Sequence, residues 1–179
     1  MDTYKLNWTR LEADVFSFLC LRAGGKLSQR EIAKALGVSP TAVASSVKKL
    51  GEGNLVLVEK TKTINFVSLN RDEPKAMDLK RIENLKGVYL SGLSDYLEKE
   101  LAGSTIILFG SYAKGEDTVT SDIDIAVIGR KDKPLRLETY EKMLGRKINV
   151  NFYGSWKGIH AHLKNNILSG LLLHGSVEL

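Results

Sequence analysis

Three stretches carry residues whose types and spacing could do chemistry. Gly110-Ser111-Tyr112-Ala113-Lys114-Gly115 follows the apolar run Ser104–Phe109, and ten residues separate Ser111 from Asp122-Ile123-Asp124. Alternation along an extended segment puts Asp122 and Asp124 on one face, with Ile123 and Ile125 on the other. Two carboxylates brought together in this way repel, and a divalent cation relieves the repulsion; hard oxygen ligands suit Mg²⁺ or Mn²⁺. A Gly-Ser turn suits an anionic partner, because glycine lets backbone approach closely and serine can donate to phosphate. Lys114 lies one turn further on, where a phosphate contact competes with plain solvation. The last stretch, Ile148-Asn149-Val150-Asn151-Phe152, is a candidate strand with two amides on one face.

These residues need strands that present them. Ser104–Phe109 and Ser121–Ile128 read as short buried strands, and the Gly-Ser turn should open a helix between them. His160 and His162 lie two apart with no cysteine or acid beside them, so they are expected at the surface or in packing rather than on a metal.

The first seventy residues show a different pattern. Apolar residues recur at helical spacing from Trp8 to Arg22, and Gly24-Gly25 should end that helix. Ser28-Gln29-Arg30-Glu31 is a capping box opening a second helix, and Gly37 supplies a turn. Ser39-Pro40 then starts a third helix, to Leu50, with Val43, Val47 and Leu50 on its apolar stripe. Its other side carries Thr41, Ala42, Ser45, Lys48 and Lys49, a face of small residues and lysines that fits a major groove. Leu55–Val58 and Ile64–Leu69 read as two strands whose connection carries Lys60 and Lys62, suited to phosphate contacts. Residues 1–70 hold ten Lys and Arg against six Asp and Glu, and residues 71–179 hold sixteen against fifteen. The basic excess therefore sits where a polyanion would be met.

Between these parts, Leu79, Ile82, Leu85, Tyr89, Leu93 and Leu97 keep a helical period. Residues 71–102 are expected as a helical linker, serving as a spacer or dimerisation seam or packing on its neighbours. Cys20 excludes an internal disulfide and reads as a buried structural thiol. No run approaches the roughly 18 apolar residues of a membrane span, and Met1–Lys5 lack an apolar export core, so a cytoplasmic location without membrane contact is expected.

Residues 28–44, Ser-Gln-Arg-Glu-Ile-Ala-Lys-Ala-Leu-Gly-Val-Ser-Pro-Thr-Ala-Val-Ala, resemble the helix-turn-helix of archaeal and bacterial winged-helix regulators. Gly110-Ser111, ten residues, and Asp122-x-Asp124 resemble the signature of DNA polymerase β type nucleotidyltransferases, especially the minimal form found beside toxin–antitoxin genes or fused to regulators. The segment Ile167–Gly175 resembles the end of such domains. The two resemblances imply an α+β chain: a winged helix over 1–70, the linker, and a small mixed-sheet nucleotidyltransferase domain over 103–179. They imply duplex DNA and a nucleoside triphosphate as partners, and leave open a small helical toxin-like protein and a homodimer. In the family, Gly110 and Ser111 would hold triphosphate, with Lys114 near it, while Asp122 and Asp124 would bind metal. A third carboxylate on the later strand would complete a second metal site. Here that strand offers Asn149, with Asn151 beyond it. An amide cannot balance cationic charge or act as a base, so transfer should be slow even where nucleotide binds.

Overall fold

The computed structural model describes residues 7–178. The segment Met1–Lys5, read above for an export signal, lies outside them. The chain divides between Met77 and Asp78 into two compact units, each with its own core.

In the first unit, helix α1 (Arg10–Leu21) opens with a full capping box between Thr9 and Glu12. Strand β1 (Leu27–Ser28) precedes α2 (Gln29–Leu36), where Ser28 Oγ accepts from Glu31 N at 3.2 Å and the Glu31 carboxylate accepts from Ser28 N at 2.7 Å. The reciprocal bonds hold the Glu31 carboxyl below its ordinary pKa. Gly37 ends α2 in the left-handed conformation. Helix α3 (Pro40–Glu52) is capped by Ser39, whose hydroxyl accepts from Ala42 N at 3.2 Å. Strands β2 (Val56–Lys60) and β3 (Asn65–Leu69) form an antiparallel hairpin, and β1 adds to β3. Three helices on a sheet of order β1-β3-β2 make the winged-helix arrangement. Val15, Phe16, Leu19 and Cys20 from α1 are buried with Ile32, Val43, Val47, Leu50 and Val67.

The stretch expected as a linker is two helices, α4 (Pro74–Leu90) and α5 (Leu93–Glu100). Val88, Leu93, Leu97 and Leu101 are fully buried in the second unit's core, so this segment from Asp78 on packs as part of that unit rather than as a spacer. Its helical period is that of a core face. Ile82, Tyr89 and Leu90 remain exposed on α4.

The second unit is a four-stranded mixed sheet. Strand β4 (Thr105–Phe109) runs into helix α6 (Gly110–Lys114), followed by β5 (Ile123–Ile128), α7 (Glu138–Leu144), β6 (Ile148–Tyr153), a 3-10 turn (Trp156–Gly158), α8 (Ala161–Leu168) and β7 (Leu171–His174). The sheet order is β6-β5-β4-β7, with β5 and β6 parallel and the other neighbours antiparallel. Both faces are covered, which is why β4 and β5 read as continuous apolar runs. Ile106, Leu108, Ile123, Ile125 and Val127 face the core built with α5, Tyr112 and Leu144. Ile107, Phe109, Ala126 and Ile128 face a smaller core with Trp156, Ile159 and Ile167. Asp122 and Asp124 belong to this second face by alternation, at its open end.

A buried polar cluster ties the first core to the loop between α6 and β5. The Asp117 carboxylate, 1% exposed, accepts from the ammonium of fully buried Lys80 and from Asn84 Nδ2 at 2.7 Å. Arg146, just before β6, reaches the same carboxylate at 3.4 Å. Asn84 Nδ2 also donates to the Tyr112 carbonyl at 2.9 Å. Asp117 and Asn84 together thus join α4, α6, the approach to β5 and the approach to β6.

Candidate functional site

The register brings the expected residues together. Phe109, the last residue of β4, pairs with Asp124, and Asp124 lies beside Asn149 in the parallel pair β5-β6. Asn149 Nδ2 donates to Asp122 Oδ2 at 3.1 Å and approaches Asp124 Oδ1 at 3.5 Å. One small group therefore reaches both carboxylates, which shows that they converge on a common point. Asp124 is the one residue of β5 that is not buried, in a strand otherwise closed to solvent. Asn151 sits one pleat further on, beside Ala126, and is half-buried.

Gly110 has φ +77°, and a Cβ there would stand 2.7 Å from Asp124 Oδ2. Only glycine satisfies both the left-handed backbone and the close approach of the carboxylate. Ser111 is half-buried in the next position, and Lys114 is exposed in the last turn of α6. The Tyr153 hydroxyl, on the same strand face as Asn149, is held above its usual pKa by burial and by the charge of Asp124. His160 and His162 are exposed.

The donor set fits one divalent cation. Two carboxylates aim at the point now bridged by the Asn149 amide, and rotating that amide would present its oxygen instead. It does not supply the charge a second cation would need, since Asn149 is neutral and, among the described residues, no third carboxylate converges with the pair.

Sequence reasoning missed the residues flanking Asp122. Lys147 lies beside it in register, since Ile123 N donates to the Lys147 carbonyl at 2.8 Å. The Lys147 ammonium binds Glu141 Oε2 at 2.9 Å, and Glu141 Oε1 accepts from Ile148 N at 3.1 Å. The pairing with Glu141 raises the Lys147 pKa, with Glu138 and Asp122 adding to it; the Lys147 ammonium and the Ile148 N–H lower that of Glu141. Alternation from Asn149 back to Lys147 is a signal for the lysine. Glu141 has none, because its reach depends on Gly145, at φ +62°, folding α7 back onto β6.

Residues 90–174 match the family described as nucleotidyltransferase domain, and residues 19–56 match winged helix-turn-helix DNA-binding. A Methanocaldococcus jannaschii protein named "Putative protein adenylyltransferase MJ0435" is 43% identical over 67 residues, spanning 35% of this chain and 69% of that protein. The chain belongs to the nucleotidyltransferase family. Its nucleotidyltransferase domain begins inside the helical stretch expected as a linker, in keeping with the burial of α5.

The helix-turn-helix domain places its candidate contact residues unevenly. Thr41, Ser45, Lys48, Lys60 and Lys62 are exposed and Ala42 is half-buried. Lys49 is exposed too, but its ammonium lies 3.8 Å from Glu12, a buried carboxylate of α1. Lys60 ends β2 and Lys62 lies in the hairpin turn, so the hairpin's connection is shorter than the sequence suggested. No helix of the described residues is long and apolar enough to cross a membrane.

Proposed function

We propose that this chain is a DNA-binding regulator, of the kind that also serves as an antitoxin, whose nucleotidyltransferase domain binds a nucleoside triphosphate with Mg²⁺ or Mn²⁺ and transfers nucleotide slowly. The observation that carries this reading is the bridge from Asn149 to both carboxylates. It supports a single cation site at Asp122 and Asp124, with an amide where the family's third acid would stand. The cation, when bound, would neutralise phosphate charge; Gly110 and Ser111 would hold the phosphates, with Lys114 beside them. Thr41, Ala42, Ser45 and Lys48 on α3 would face the major groove, with Lys60 and Lys62 at the backbone.

A second reading, an efficient transferase acting on a protein or small-molecule hydroxyl, draws on the name of the Methanocaldococcus relative. Incubation with each of four α-labelled triphosphates, Mg²⁺ and cell extract separates the two. The regulator reading expects little label from wild-type protein and more from Asn149→Asp. Robust multiple-turnover labelling by wild type, lowered by Asn149→Asp, would establish the transferase instead.

A further inference from the structure

Across the open end of the sheet, the candidate groups fall in the order Gly110-Ser111 after the end of β4, Asp122 just before and Asp124 on β5, and Lys147 just before and Asn149 on β6. Phosphoryl transfer places the attacking and leaving oxygens in line on opposite sides of phosphorus. With pyrophosphate leaving on the Gly110-Ser111 side, the attacking oxygen must arrive from the β6 side. A groove of about 470 Å³ opens there, bounded by Thr120, Ser121, Asp122, Glu138, Glu141 and Lys147.

We infer that this groove admits a hydroxyl-bearing acceptor, and that Lys147, positioned by Glu141, is the cation that meets the attacking oxygen. The inference rests on the proposed nucleotide site. In the reaction, the acceptor oxygen bonds to the α-phosphorus and the bond from that phosphorus to the α–β bridging oxygen breaks. The electron pair leaves with pyrophosphate, and the acceptor's proton passes to water in the open groove. The Lys147 ammonium stabilises charge on the attacking oxygen and non-bridging oxygens, an electrostatic service that needs no third carboxylate. Three observations support this. Lys147 is lateral to Asp122 in register. Its ammonium is fixed by Glu141 at 2.9 Å while its side chain stays 76% exposed at the groove. Asn149, two residues on and on the same face, adds no negative charge that would draw a second dication in Lys147's place.

Lysine and a second dication should therefore exclude one another. The test is Mn²⁺ binding, followed by the paramagnetic resonance of free Mn²⁺, in the presence of α,β-methylene-ATP. Wild type should bind one Mn²⁺ per chain. Asn149→Asp should bind a second weakly, and Asn149→Asp with Lys147→Met should bind it at least about tenfold more tightly, since a unit charge has left its neighbourhood. Lys147→Arg in the same background should keep the second site weak, which separates charge from packing; thermal melts confirm folding. Equal affinity for the second Mn²⁺ with and without Lys147 would overturn the role of Lys147. Failure of wild type to bind any Mn²⁺ with the α,β-methylene analogues of ATP, GTP, CTP and UTP alike would overturn the nucleotide site itself, and is visible in the first titrations.

Discussion

Gly110→Ala, set against Gly92→Ala, isolates the contact between the Gly-Ser turn and the carboxylate pair. Both glycines lie in the second unit at nearly the same φ, +77° and +76°. An added methyl costs each about 1–2 kcal/mol for the left-handed conformation. In a unit of this size that lowers Tm by roughly 4–16 °C. The two differ in what the methyl meets: nothing within 4 Å at Gly92, and Asp124 Oδ2 at 2.7 Å for Gly110. The carboxylate must withdraw by roughly 0.7 Å to reach ordinary contact. Because Asp124 sits at the open end of the sheet it can move, so the expense appears in ligand geometry more than in stability. Displacements approaching 1 Å at a site cost up to about a hundredfold in function. Calorimetric titration with Mg·ATP should therefore show Gly92→Ala binding as wild type does, and Gly110→Ala binding about ten- to a hundredfold more weakly, at similar Tm. Equal affinities in the two variants would refute the claim that Gly110 is required by Asp124.

Three further outcomes follow from the geometry. Asp117→Asn should destabilise the second unit by about 3–5 kcal/mol, the range for removing one partner of a buried ion pair; a calorimetric Tm within a few degrees of wild type would contradict it. The Tyr112 hydroxyl is pushed well above its usual pKa by burial, with Asp117 adding to it and Arg146 opposing. Its raised folded-state pKa contributes stability below the unfolded value near 10 that is lost as pH rises past it, so melts from pH 8 to 11 should fall less steeply in Tyr112→Phe than in wild type. On duplex DNA, Lys48→Ala should flatten the dependence of log affinity on log salt by nearly one unit, and Lys49→Ala by less, because Glu12 already holds Lys49; equal slopes for the two variants would move the DNA surface elsewhere.

The elements were legible where local chemistry determines them. Ser28, Glu31, Ser39 and Pro40 mark helix starts through bonds that need no tertiary context, and α2 and α3 begin there. Two-residue alternation sufficed to put Asp122 and Asp124 on one face, whereas Gly110 joined them only through the resemblance to the nucleotidyltransferase signature. The segment 71–102 was ambiguous because a helical apolar period looks the same in a spacer and in a core face; burial of Leu93 and Leu97 distinguishes the two. Strand β1 was invisible, being two residues recruited by pairing with Val67 and Phe66. The Asp117 cluster and Glu141 depend on contacts between residues 29 to 37 and 6 positions apart, respectively, made through loops that carry no periodic signal.

The central claim is that Gly110, Ser111, Asp122 and Asp124 form one cation-dependent nucleotide site. Isothermal titration of the full chain with ATP, GTP, CTP and UTP, each with and without Mg²⁺, tests it most directly. At least one triphosphate should bind near one per chain only with Mg²⁺, and Asp124→Asn, folded as judged by its melt, should lose that binding. No heat from any of the four with Mg²⁺ or Mn²⁺, or binding unchanged in Asp124→Asn, would contradict it.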